Sequence, residues 1–258
     1  MKTTVVFGGG LGNQMFQYAL VMALRSKGHY VVPDISLYNR YSPHNGFELK
    51  HVFGINDDFV SLSGRHILLL RALYWLKPSP FVHIDMNCYQ NDVLITPPRY
   101  LYGYWQDERY FHDIREDICS IFTFRDIKEN NKSIAKEIQS CESVSIHIRR
   151  GDYKSFGMPL LGEDYYFRAI ETIKKRVDHP VFYLFSDDMD EAEKIMNNLA
   201  IDIISVNCNN IDESYNDMYL MSQCQHNIIA NSTFSWWGAY LNQNPTKIVF
   251  SPAHFVQI

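Results

Sequence analysis

Ser143-Val144-Ser145-Ile146-His147-Ile148-Arg149-Arg150-Gly151-Asp152-Tyr153 is the stretch that decides the fold. Apolar β-branched residues at 144, 146 and 148 run straight into two arginines and a glycine, the pattern of a buried strand that opens into a loop. The same unit recurs downstream. Short apolar runs at Val181 to Ser186, Asp202 to Val206, Asn227 to Ala230 and Lys247 to Phe250 alternate with helix candidates at Asp164 to Val177, Asp190 to Leu199, Tyr215 to Cys224 and Phe234 to Asn242. In the first helix candidate Tyr166, Ala169, Ile170, Ile173 and Val177 recur at helical spacing. Strands joined by helices of this length form a parallel sheet.

Upstream, Thr3 to Phe7 reads as a strand, followed by a glycine turn, a helix through Asn13 to Lys27 closed by Gly28, and a strand at Tyr30 to Ile35. This is a second βαβ start. Residues 36 to 100 scatter Pro, Gly and Asn among short apolar pieces and give no sustained period. A hydrophilic run from Arg125 to Lys132 precedes a helix candidate at Ser133 to Gln139. A boundary there predicts an α/β chain of two Rossmann-like domains facing a cleft, 1–132 and 133–258.

With 258 residues, 46% of them hydrophobic, the chain can bury such cores. A net charge of −5 gives no overall electrostatic footing for nucleic acid, so any bound anion needs a local cationic cluster. Aromatics make up 14% of the chain, which suits stacking on sugars, although core packing accounts for most such rings. Five cysteines, Cys88, Cys119, Cys141, Cys208 and Cys224, are odd in number and form no CxxC pair, which speaks against a disulfide framework or zinc site. The apolar run after Lys2 is too short for a signal-peptide core, and no segment reaches the roughly 18 apolar residues of a membrane span. The expected location is the cytoplasm or its membrane face. Arg65 to Lys77 is a basic, Trp-containing apolar segment. It suits peripheral contact with an anionic membrane, and a buried helix is the preferred reading.

Four segments stand just past predicted strands, where open α/β sheets bind ligands. Gly8-Gly9-Gly10-Leu11-Gly12-Asn13-Gln14 opens a helix, but Asn13 stands where a dinucleotide fingerprint needs Gly or Ala, and no Gly-Lys-Ser/Thr ending makes it a P-loop. It is either a turn that presents backbone amides, Asn13 and Gln14 to a ligand or a structural turn. In His147-Ile148-Arg149-Arg150-Gly151-Asp152-Tyr153, adjacent arginines at a strand end need a counter-anion. A guanidinium fork matches diphosphate oxygens and suits a metal-free transferase, whereas a salt bridge with Asp152 is the structural alternative, most of all for Arg150. Phe185-Ser186-Asp187-Asp188-Met189-Asp190 offers either a helix cap or a carboxylate, Asp187 or Asp188, to read the N1–H and N2–H of guanine. Its Asp-x-Asp spacing is too common to count as a metal motif. Asn231-Ser232-Thr233 starts a helix, an anion site in waiting, with Trp236 and Trp237 behind it, more in keeping with core packing than with a stacked sugar.

Together with Gly103-Tyr104-Trp105-Gln106 and Met221 to Ala230, these motifs resemble the family 11 glycosyltransferases, the alpha-1,2-fucosyltransferases of bacterial type. The resemblance implies a GT-B-like fold with an acceptor-side first domain and a donor-binding second domain. It implies GDP-β-L-fucose as donor, no metal or cofactor, and inverting transfer to the 2-hydroxyl of a galactose-terminated acceptor, in surface polysaccharide or O-antigen synthesis. It implies donor contacts from Gly10, Gly12, Asn13 and Gln14, with Asn13 lining the fucose. His147 would touch guanine or ribose, Arg149 and Arg150 the diphosphate, Asp187 or Asp188 guanine, and Asn231, Ser232 and Thr233 phosphate. Arg149, Asp152 and His147 are the catalytic candidates, with the choice of base left open between Asp152, His147 and no strong base. The chain departs from the family in a short loop after Tyr153 and in ending at Val256-Gln257-Ile258 without a Pro- and Trp-rich tail, which reads as a truncation.

Overall fold

A computed structural model of the chain describes residues 2–39, 44–61, 82–84, 89–155 and 157–253. The segment 65–77, Cys88 and residues 256–258 lie outside the described residues. Among the described residues no helix is long and apolar enough to cross a membrane. The chain divides into two compact units, Met1–Arg125 and Asp126–Ile258, the division falling at the head of the hydrophilic run.

The first unit holds a parallel sheet of β1 (Lys2–Val6), β2 (Tyr30–Asp34), β3 (Val82–Ile84) and β4 (Tyr100–Tyr102) in the order β2-β1-β4-β3. Helix α1 (Leu11–Ser26) follows β1, and Gly28, at φ 84°, closes it in the left-handed conformation that glycine adopts without strain. Helices α2 (Leu49–Phe53), α3 (Asp92–Ile95) and α4 (Arg115–Ile121) complete its described α-helices.

The second unit follows the predicted alternation. Its helices are α5 (Glu129–Gln139), α6 (Gly151–Ser155), α7 (Glu163–Lys174), α8 (Met189–Asn198), α9 (Tyr215–Gln223) and α10 (Thr233–Leu241). Strands β5 (Ser143–Ile148), β6 (Val181–Ser186), β7 (Ile204–Ser205), β8 (His226–Ile228) and β9 (Val249–Phe250) form an all-parallel sheet in the order β7-β6-β5-β8-β9. Every residue of β5 is buried, as a central strand covered on both faces must be. Val144, Ile146 and Ile148 pack with Tyr166, Ala169, Ile170 and Ile173 of α7 and with Leu184 and Ile195 in one apolar cluster. Full burial of each such aliphatic side chain contributes about 1.5–3 kcal/mol before its entropy cost.

Some boundaries differ from the expectation for local reasons. Strand β7 is shorter than Asp202 to Val206 because it pairs only with Tyr183 and Leu184. Strand β9 is shorter than Lys247 to Phe250, and the Ile248 amide donates to His226 Nδ1 at 3.0 Å instead of to a neighbouring strand. Helix α5 starts a turn before Ser133, since a narrow buried stripe of Asn131, Ala135 and Ile138 suffices to dock an otherwise polar helix. The residues after Arg150, expected as loop, form the one-turn helix α6.

Candidate functional site

In the second unit the strand order reverses between β5 and β8, and ligands of open parallel sheets bind beyond the C-terminal ends at such a point. Pairing of the two strands stops at Ile146 and Ile228, so Arg149 to Asp152 and Ile229 to Ser232 flank an opening. Arg149 is one-fifth exposed there. Asp152 takes it side-on, with Nε donating to Oδ1 at 2.9 Å and Nη2 donating to Oδ2 at 2.7 Å, and Asp187 Oδ2 lies 3.1 Å from Nε. The Tyr153 ring supports the guanidinium at 5.7 Å. Burial works against this charge, but Asp187 and Asp152 outweigh it and hold the arginine pKa above its ordinary value. The side-on edge is occupied, and among the described residues Nη1 meets no acceptor, so the end-on edge can take an anion.

Arg150 points elsewhere. It is 6% exposed, its Nη2 donates to the Leu161 carbonyl at 2.9 Å, and its Nε faces Glu191 at 3.3 Å. Asp187 also receives the Arg150 amide at 2.8 Å, so both its oxygens serve the arginine pair. A Cβ at residue 151 would lie 2.8 Å from Asp187 Oδ2, so glycine is needed for this close approach. Asp188 caps α8 by accepting from the Glu191 amide and pairs with Lys154 at 3.3 Å. Among the described residues no group of three or more His, Cys, Asp or Glu is arranged to hold a metal.

His147 is 3% exposed, its ring centroid 5.9 Å from that of Phe234, and among the described residues its buried Nδ1 has no hydrogen-bond partner. Burial, then the Arg149 charge, pushes its pKa down to about 4 against the pull of Asp187, so the ring is neutral at pH 7. The Asn231 side chain donates to the Pro159 carbonyl at 2.9 Å, which with Arg150 pins the loop after α6 at two points. Ser232 caps α10 by accepting from the Phe234 amide, and Thr233 begins that helix, whose amide end faces the β8 side of the opening. Trp237 is fully buried, and Trp236 stacks on Tyr240 with centroids 4.8 Å apart.

The first unit reverses its strand order between β1 and β4, and its glycine turn lies at that point. Gly9, at φ 83°, lets the chain turn, and a Cβ there would meet Asn13 Nδ2 at 2.5 Å. Gln14 is fully buried: its amide donates to Gly46 and Gly9 carbonyls at 2.7 and 3.2 Å and accepts from the Glu48 amide at 2.9 Å. Gly12 is buried as well, whereas Gly10 and Asn13 remain partly accessible. Asn13 Oδ1 accepts from Gln106 at 2.9 Å.

Sequence reasoning gave no role to three residues here. Gln17 stitches the two loops, donating to the Gly103 and Gly8 carbonyls at 2.8 and 3.2 Å and accepting from the Gly8 amide. Gln106 holds Asn13. Glu48, 6% exposed, accepts from the Leu11 amide at the start of α1, so a protein carboxylate already sits at this helix N-terminus. Burial raises its pKa to about 6. The available signal was a second glutamine, Gln17, inside the otherwise apolar run Met15 to Leu24.

Comparison with known proteins gives this geometry a context. The family described as glycosyl transferase family 11 matches residues 85–254. An alpha-1,2-colitosyltransferase of Escherichia coli is 33% identical over 260 residues, covering 95% of this chain and 89% of the relative. The O-antigen biosynthesis glycosyltransferase WbnK of Escherichia coli is 34% identical over 284 residues, covering 95% and 91%. The galactoside 2-alpha-L-fucosyltransferase Sec1 of Mus musculus is 26% identical, covering 98% and 67%. Among solved structures, the fucosyltransferase NodZ from Bradyrhizobium superposes with a TM-score of 0.56 at 15% identity over 98% of this chain and 97% of its own. A NodZ alpha-1,6-fucosyltransferase co-crystallised with GDP gives 0.54 at 15%, over 92% of each chain. At these identities the likeness is one of fold, the two-unit α/β architecture of GT-B type.

Proposed function

The chain belongs to glycosyl transferase family 11, and from that premise we propose that it transfers L-fucose from GDP-β-L-fucose to the 2-hydroxyl of a galactoside, with inversion. The observation that carries the reading is Arg149: a guanidinium oriented side-on by Asp152, at the reversal point of the second sheet, with its end-on edge left for an anion. In a single displacement the acceptor oxygen attacks the anomeric carbon and gives up its proton to solvent as GDP departs from the opposite face. Arg149 and the amide end of α10, at Ser232 and Thr233, meet the charge that grows on the diphosphate. Asp152, with both oxygens on Arg149, acts through that arginine. Neutral His147 offers its unpaired Nδ1 to the nucleotide. Asp187 and Arg150 form the support of the site, Asp188 steadies α8, and Asn231 anchors the neighbouring loop. On the first unit, Asn13 stays partly accessible beside Gly10, while Gly12 and Gln14 shape the turn.

Support for the galactoside acceptor and the alpha-1,2 linkage comes from what the relatives are named for, and support for a role in O-antigen synthesis from the Escherichia coli glycosyltransferase. We place the reaction on the cytoplasmic side of the membrane, with Arg65 to Lys77 as the candidate for peripheral contact. The colitosyltransferase at 33% identity favours a second reading, in which the donor sugar is colitose, fucose without its 3-hydroxyl.

Isothermal titration with GDP, GDP-fucose and GDP-mannose, beside turnover on lactose with and without EDTA, tests the proposal. Binding of GDP and EDTA-resistant fucosyl transfer are expected. Absence of GDP binding overturns the donor assignment, and binding without turnover identifies a sugar-nucleotide-binding protein. Turnover with GDP-colitose alone identifies the second reading. Loss of activity in EDTA revives Asp188 and Asp190 as metal ligands.

A further inference from the structure

Tyr153 sits where the two halves of the second unit's opening have to be held in register. Its hydroxyl donates to the Asn231 carbonyl at 2.8 Å, just before the cap of α10, and it also bonds the Ser232 side chain. Its ring lies under the Arg149 guanidinium. One side chain therefore touches the cation at the end of β5 and the helix start that follows β8, past the point where the two strands cease to pair. Burial raises the phenol pKa, so the group stays a hydrogen-bond donor throughout the neutral range.

We propose that Tyr153 is a positioning residue for the leaving group, fixing the plane of Arg149 and the amide end of α10 on one diphosphate. The proposal rests on the donor assignment above. Two groups that stabilise one developing charge gain most when neither has to reorganise as the bond breaks. Asp152 fixes the guanidinium along its side-on edge, and the tyrosine ring fixes its plane. The hydroxyl carries that geometry across to the Asn231-Ser232 backbone. Tyr153 touches no reacting atom in this scheme.

The test compares Tyr153→Phe, which keeps the ring, with Tyr153→Leu, which keeps neither contact, using wild-type protein shown to bind GDP. Wild-type protein that fails to bind GDP would sink the donor assignment, whereas the outcomes below bear on Tyr153 alone. Tyr153→Phe should lower kcat about ten-fold, the loss of the hydroxyl's bonds to Asn231 and Ser232 felt at the transition state, with acceptor KM unchanged and Tm within a few degrees of wild type. Tyr153→Leu should lower it further and also weaken GDP. Combined with Arg149→Lys, Tyr153→Leu should cost clearly less than it does in wild type, because the guanidinium plane that the ring fixes is already gone. An unchanged kcat in Tyr153→Phe, or effects that multiply in the double variant, would overturn the proposal; a merely structural tyrosine gives the second result.

Discussion

The turn after β1 and the loop after β5 are built on the same strand–turn–helix plan at the reversal point of a parallel sheet, yet they are chemically opposite. The first is braced by neutral amides, Gln14, Gln17 and Gln106, and its helix N-terminus already carries the Glu48 carboxylate. The second carries a cation that two carboxylates orient and keep charged. A glycine-rich turn at a helix start therefore does not by itself make a phosphate site. What separates the two turns is that the second presents a guanidinium edge that meets no protein acceptor among the described residues.

The sharpest way to break this contrast is Arg149→Lys, which keeps the charge and loses the planar fork. It should reduce kcat/KM by at least about 100-fold. Arg150→Lys, read in the same assay, should stay within about ten-fold and show its effect chiefly in Tm, because that side chain holds the Leu161 carbonyl and Glu191. Equal kinetic losses would erase the division between the two arginines.

On the neutral side, Gly9→Ala should destabilise the fold by roughly 1–3 kcal/mol in a denaturant titration, since positive φ and a 2.5 Å approach to Asn13 both oppose it. Gly28→Ala provides the control. It has the same backbone sign with nothing within 4 Å, and should cost only about 1 kcal/mol.

A further contrast lies in pH dependence, where the two turns should differ in sign. Because burial raises Glu48 to about 6, its contribution to stability is full below the ordinary glutamate range and is lost as pH rises through about 6. Glu48→Gln should therefore gain up to roughly 2 kcal/mol on wild type between pH 4 and pH 7. His147, lowered to about 4, works the other way: its contribution is present above about 6.5 and is lost as pH falls toward 4. Thermal melts of Glu48→Gln and His147→Asn at both pH values read the two slopes, and slopes of the same sign would contradict the contrast.

Much of the second unit was legible because Val144, Ile146 and Ile148 and the α7 positions 166, 169, 170 and 173 state burial and period locally. Strand β4 and the elements between 36 and 100 were not, since strands of three residues carry too little periodicity to be read. The arginines were visible as chemistry, but their division was not. Leu161, Asp187 and Glu191, which separate Arg149 from Arg150, meet them only through tertiary folding. Gln17 and Glu48 escaped for the same reason, with partners 86 and 37 residues away in Gly103 and Leu11.

The central claim is that GDP is held by the second unit through Arg149, and calorimetric titration of GDP against wild type, Arg149→Lys and Asn13→Ala tests it most directly. A large loss of affinity in Arg149→Lys and wild-type affinity in Asn13→Ala are the predicted results. Wild-type GDP affinity in Arg149→Lys, or an equal loss in Asn13→Ala, would contradict it.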